Sequence, residues 1–590
     1  MMHVAPISGV ACSGGRFVAT AGYDNQLILW NAKTHSPIAR VYHDHLVNQC
    51  AFSSDGRYLA SASSDYTARI WTLPAMRLVA VLTPHDDDVE MVAFAPDALR
   101  IATCSRDHRI RIFDLQGALL QTCVGHKADV ISVSWSPSGD ELISSSDDGT
   151  VRRWRASDGV ELSHFALNNV ETDTLVVTED GVIIAGDDEG RLTVIDADGP
   201  VDSLSAHDAG IKRLVYSVGL QTLVSLSYDR TMRTWDVNGR TLTPAVSADL
   251  PLEIWPRSCA FLTESRVAFA TFGSTYAEFD TATRHWSMSG YQPSRSINAV
   301  VQSEDGLLTI GDAGVVRLDN RPLRKVGSLC NFLVHCGSHL ITGGQAGVVY
   351  DARTGATVYQ HSSPLNCGCT FDVDGVPNCA IGTYTGEIII VRASEVGLEF
   401  VRIIEMHQNA VKGLASDGVT IMGVSADCAT ALLAIDGFTI IALWENGHDR
   451  IANACCAIEA GLYASISRDM FLRLWDKNGV RHEIPAPHDN SLKCVAAKNG
   501  RIAVGDYGGH IAVYDLDSEK WTGVLRPTTW GISSIAASRD GDFVASSYDG
   551  NVYQLRLNLD SYSVSVAVPV EPNLGFSQSG HDSARSLASQ

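Results

Sequence analysis

Six stretches of this chain share one ruler: a His, an Asp 21 or 22 residues on, and an aromatic residue six beyond that. The triplets His43–Asp65–Trp71, His85–Asp107–Phe113, His126–Asp148–Trp154 and His207–Asp229–Trp235 keep both intervals. His3–Asp24–Trp30 and His448–Asp469–Trp475 shorten the first interval by one residue. Successive His residues at 3, 43, 85 and 126 lie 40 to 42 apart, and those at 207, 407, 448 and 488 follow at multiples of about 40. Self-similarity at such a period means that one supersecondary unit recurs and buries its apolar faces against its neighbours.

The unit from His126 to Trp154 shows what recurs. Val130, Ile131, Val133 and Trp135 form an apolar run that reads as a strand, and Ser136-Pro137-Ser138-Gly139 turns the chain. A second strand ends at Ser146-Asp147-Asp148-Gly149, and a third carries Val151 and Trp154. Short strands joined by turn residues make an antiparallel meander, and about 40 residues hold four of them, as in a β-propeller blade. The opening Gly-His and the closing Trp, followed by Asp at Trp235-Asp236 and Trp475-Asp476, resemble the WD40-repeat family over roughly residues 3 to 565.

With 590 residues, fourteen such units fit. Propellers carry 4–8 blades, so the expected fold is all-β, two tandem seven-bladed WD40-type β-propellers. The polar run Ser289-Gly290-Tyr291-Gln292-Pro293-Ser294 marks the expected passage between them. That gives a well-kept ring over 1–290, a divergent ring over 294–569 and a flexible Ser-rich tail over 570–590. The sequence leaves open whether each ring closes by blade-to-blade packing or by strand exchange between the rings.

The formal net charge of −22, with only 45 Lys plus Arg, argues against a nucleic-acid partner, since phosphate binding needs clustered cations. No stretch reaches the ~18 apolar residues of a membrane span; the nearest, residues 432–444, is broken by Asp436. The first residues lack the basic start of a signal peptide. The 14 cysteines read as reduced core thiols, and the expected location is cytoplasmic.

The resemblance implies that each His–Asp–Trp set, with a strand Ser or Thr, is a structural hydrogen-bonded tetrad. These sets are His43, Asp65 and Trp71; His85 and Asp107; His126, Asp148 and Trp154; His207, Asp229 and Trp235; and His448, Asp469 and Trp475. A His–Asp pair that recurs in half the blades is poor evidence for catalysis. The resemblance also places the residue before each hairpin Asp on the top face of its ring. Of these, Tyr23, Arg106, Tyr228, Arg468 and Tyr548 are of the types that dominate binding hot spots, whereas Ser64 and Asp147 are not. The run Asp86-Asp87-Asp88 beside them reads as a solvated loop or as recognition of a basic partner.

No metal or cofactor site is expected. His482 and His488 are six apart with Pro485 and Pro487 between them, which rules out a zinc-protease helix. Cys367/Cys369 and Cys455/Cys456 lack a second pair at zinc spacing. There is no Walker loop, no GxSxG and no dinucleotide-binding glycine signature. The leading expectation is a non-catalytic scaffold or adaptor that presents propeller faces to protein partners. The alternatives are a sensor or receptor subunit of a multi-protein assembly, and a hydrolase or lyase with a channel-mouth site built from converging carboxylates.

Overall fold

The computed structural model describes residues 1–568 except 328, 540, 541, 559 and 560; the expected tail at 570–590 lies outside the described residues. The strands form fourteen four-stranded antiparallel sheets, each made of four consecutive strands. Their innermost strands begin at Ile7, Val47, Val89, Val130, Thr174, Ile211 and Ile254, then at Ile297, Cys330, Leu365, Val411, Ala452, Leu492 and Ile532. We number the sheets 1 to 14 in that order. No helix is assigned among the described residues, and none is long and apolar enough to cross a membrane.

Within a sheet, burial falls from the inside outwards. In sheet 1 the second strand, Phe17–Gly22, is buried throughout, while the fourth, Pro37–Tyr42, alternates half-buried and exposed. The turns follow residue chemistry. Gly149 closes the Asp148 hairpin at φ +71°, where a Cβ would lie 2.7 Å from the Asn169 backbone, so only glycine fits.

Neighbouring sheets pack in two closed circuits. The innermost strand of sheet 1 packs on sheets 2 and 7, and that of sheet 8 packs on sheets 9 and 14. Ile7, Val10, Trp255, Phe272 and Tyr276 form the core that joins sheets 1 and 7. Ile297, Val300, Val544 and Val552 do the same for sheets 8 and 14. We read these circuits as two seven-bladed rings, each closed by blade-to-blade packing. Ser294 donates to the Val4 carbonyl of the first ring at 2.7 Å, and Ser296 to the Tyr548 carbonyl within the second ring at 3.0 Å.

One irregularity recurs. In twelve sheets the pairing of the innermost strand with its neighbour skips the strand's second residue. Such a bulge leaves a residue unpaired and re-aims its side chain. The bulged residues include Ser8, Asn48, Glu90, Lys212, Asn298, Asn331, Asn366, Lys412, Asn453 and Lys493.

Candidate functional site: a chamber between two facing rings

The polar residues at the hairpin ends of one ring meet those of the other. Arg450 of sheet 12 pairs with Asp87 at 3.1 Å, donates to the Asp86 carbonyl at 2.7 Å and lies over the Tyr66 ring. Arg468 pairs with Asp88. Asn409 of sheet 11 donates to Glu171 of sheet 5 at 2.7 Å. The rings of Tyr228 and Tyr384 meet edge to face at 6.2 Å, and those of His45 and Tyr507 lie 5.1 Å apart.

This corrects the expectation of a free top face. Tyr23, Arg106, Tyr228, Arg468, Tyr548 and Asp88 all line one cavity of about 500 Å³ that both rings wall. Asp87 and Asp88 do face basic groups, but these are the chain's own Arg450 and Arg468. Asp86 alone of that run has an exposed side chain, and it pairs with Arg109 at 3.1 Å. Sequence could not show this, because a repeat pattern fixes where a residue sits on its own ring and not what covers that face.

The ring-one wall is acidic. Arg106 bonds Glu90 and, at 2.7 Å, Asp129, while Lys212 holds both Asp173 and Asp188. Asp147 and Glu171 have no cation of their own among these pairs. Burial, with Asp188 and Asp173 close by, pushes Glu171 up to about 8. Burial and the charge of Asp173 push Asp188 up to about 7 despite Lys212. Asp147, buried beside Asp129, Asp173 and Glu171, is raised far above the carboxylate range. Converging carboxylates with raised pKa values can exchange protons near neutrality or receive a cationic group.

The ring-two wall carries Lys412 and Lys493 on the inner-strand bulges. Elsewhere that position does structural work. Asn48, Asn298, Asn331, Asn366 and Asn453 each donate from Nδ2 to the carbonyl of the first residue of the next sheet's inner strand, at 2.6 to 3.0 Å. Ser8 makes the same stitch to Val47. Lys412 and Lys493 replace it, lying over the rings of Tyr384 and Tyr507 at 5.3 and 5.7 Å. Sequence reading missed these lysines and Glu171; for the lysines, the polar residue that follows the first residue of most inner strands was a visible signal once the strands are compared.

The tetrad residues sit away from the chamber. His43 Nδ1 is 2.8 Å from Asp65, its Nε2 is 2.7 Å from Ser61, and Trp71 donates to Ser61 at 3.0 Å. The same geometry joins His3, Asp24, Thr20 and Trp30; His126, Asp148, Ser144 and Trp154; His207, Asp229, Ser225 and Trp235; and His448, Asp469, Ser465 and Trp475. In sheet 3, His85 joins Asp107 and Thr103, and Phe113 fills the indole's place without a donor. Sheet 13, with Gly508 in the Asp slot, instead pairs His510 with Asp506 at 3.0 Å.

Fourteen radially packed four-stranded sheets define a β-propeller protein. The family model described as "WD domain, G-beta repeat" matches residues 36–72, 76–114, 117–155, 199–236 and 520–554, so these stretches carry WD40 repeats. Each match in ring one begins on or near the outer strand of one sheet and ends in the third strand of the next, so the sequence repeat is offset from the sheet by one strand.

Among curated proteins, the chain is similar to the serine-threonine kinase receptor-associated protein of Gallus gallus, with 28% identity over 33% of this chain and 55% of that protein. It is similar to the target of rapamycin complex subunit wat1 of Schizosaccharomyces pombe, with 26% identity over 37% of this chain and 73% of the relative. It also resembles the nuclear distribution protein PAC1 of Arthroderma benhamiae, with 32% identity over 38% of this chain and 48% of the relative. The chain thus spans about half the length of two of these three relatives.

Proposed function

We propose that the protein is a non-catalytic interaction scaffold whose partners dock on the outer strands rather than on the ring faces. The observation that carries this reading is where the exposed apolar residues lie. Phe400, Val401 and Ile403 on the outer strand of sheet 10, and Ile440, Ile441 and Leu443 on that of sheet 11, are all at least 36% exposed. Leu78, Val79 and Val81 repeat the pattern on sheet 2. Exposed apolar patches mark interaction sites, and an edge strand also offers unpaired backbone groups for strand addition. One relative is named as a subunit of a complex and another as receptor-associated, in keeping with this reading.

The test is affinity capture from the source cell extract with the wild-type protein and with Phe400→Ser/Ile403→Ser/Ile441→Ser. The expected result is a stoichiometric partner that the variant loses at an unchanged melting temperature. Equal capture by both proteins would remove the outer strands of sheets 10 and 11 from consideration. A second reading, a ligand-responsive sensor, is favoured by the chamber: a molecule held there touches both rings and would bear on how firmly they face each other. Its test is whether partner capture changes when a chamber ligand is added.

A further inference from the structure

We propose that Lys412 and Lys493 form a binding site for a phosphate-bearing small molecule inside the chamber. Each Nζ lacks a hydrogen-bond or ion-pair partner among the described residues, and each lies over a tyrosine ring. The two arginines that bear on Lys412 are engaged elsewhere: Arg468 with Asp88, and Arg106 with Glu90 and Asp129. Partly buried ammonium groups without a counter-ion are unfavourable. Here two sit on one wall of a cavity of about 500 Å³, ample for a molecule of metabolite size.

The positions themselves argue for a ligand. Five asparagines and one serine at the equivalent bulge stitch neighbouring inner strands together. At two places in ring two the chain gives up that stitch for a long cation aimed into the cavity. Burial first, and then the like charge of Lys493, Arg468 and Arg106, pushes Lys412 down to about 7, whereas Lys493, despite its burial, is held above the ordinary lysine range by Tyr507, Tyr548 and Tyr384. A dianion between the lysines would relieve that repulsion, and a phosphate monoester carries close to two negative charges at neutral pH. Lys212 holds the same bulge position in ring one but is already neutralised by Asp173 and Asp188. It is therefore not part of the site.

The test is a thermal-shift titration of the full-length protein with inorganic phosphate. Succinate serves as the dicarboxylate control, and sodium chloride matches the ionic strength. The comparison variant is Lys412→Asn/Lys493→Asn, which installs the residue that the fold already uses at five equivalent bulges. The wild type is expected to show a saturable upward shift with phosphate, and the variant to lose at least about tenfold in apparent affinity. Equal responses of the two proteins, no saturable shift in the wild type, or saturation by succinate but not phosphate would each overturn the proposal. Should the double variant fail to fold, broadening of the phosphate signal in phosphorus NMR by the wild type, and its retention with Lys412→Gln, would overturn it as well.

Discussion

Arg468 and Asp88 stand 380 residues apart in sequence and form an ion pair across the two rings. Asp88 is 5% exposed and also faces Arg106 at 3.9 Å, so the pair joins two circuits that each close without it. Removing one member of a buried pair leaves the other charged and unsatisfied, at a cost of roughly 3–5 kcal/mol. The exposure of the Arg468 side chain, 18%, places this case towards the lower end. Arg450→Ala/Arg468→Ala is expected to lower stability by about 3 kcal/mol and to expand the particle in small-angle scattering as the faces separate. An unchanged scattering profile and melting curve would show that the facing arrangement does not depend on these arginines.

The tetrads give a different result. Asp148 accepts from His126 and from the backbone of Lys127 and Thr150; burial pushes its carboxyl up, but the hydrogen bonds from His126, Thr150 and Lys127 and the charge of His126 together hold it below the ordinary range. Asp148→Ala is expected to lose a few kcal/mol, as for other buried networks, with the chamber untouched. Phosphate binding should survive in this variant below its lowered melting temperature. A melting curve that matches wild type would contradict a structural role for the tetrad.

The ring-one repeats were legible because the His–Asp–Trp ruler records a hydrogen-bond chain that needs fixed residue types at fixed spacing. Sheets 8 to 11 were legible only as strands, since Ala299, Leu308, Ile310 and Leu333 can hold a blade by packing alone and leave no spaced polar signature. The site was mostly illegible. Tyr228 and Arg468 could be placed on a rim, but their partners Tyr384 and Asp88 lie in the other ring. The bulge that aims Lys412 inward is a feature of strand pairing, and VKGLAS read by itself does not show it; only the recurrence of a polar residue at the same place in other inner strands does.

Acid should weaken the protein through its histidines first. Burial pushes His45 and His488 down to about 4, so both are neutral in the fold. For a base whose folded pKa is depressed, the stabilising contribution is full above the unfolded value of about 6.5 and is lost as pH falls towards the folded value. The expected outcome is a melting temperature that declines between pH 6.5 and about 4. Asp229, held at about 2 by His207 against the effect of burial, adds a second loss below its unfolded value. Because His45 lies against Tyr507 of the other ring, His45→Gln should flatten the first part of that decline. An identical pH profile would place the sensitive group elsewhere.

Alkali should act on the chamber in the opposite sense. Glu171, pushed up to about 8, is protonated in the fold at neutral pH. Its contribution is full below the unfolded carboxyl value of about 4.3 and is lost as pH rises through about 8. Glu171→Gln keeps an oxygen that can accept the Asn409 hydrogen bond, now 2.7 Å long, and removes the charge that Asp188 and Asp173 oppose. The variant should therefore melt like wild type near pH 4, and its advantage should grow steadily up to about pH 8. Glu171→Ala separates charge from contact. It relieves the same repulsion but breaks the bond to Asn409, so its advantage at pH 8 should be smaller by ~1 kcal/mol. Thermal melts of the three proteins across this range decide the point. A gap between wild type and Glu171→Gln that does not change with pH would mean that Glu171 is ionised throughout, and that the acidic wall is compensated by groups other than Lys212 and Arg106.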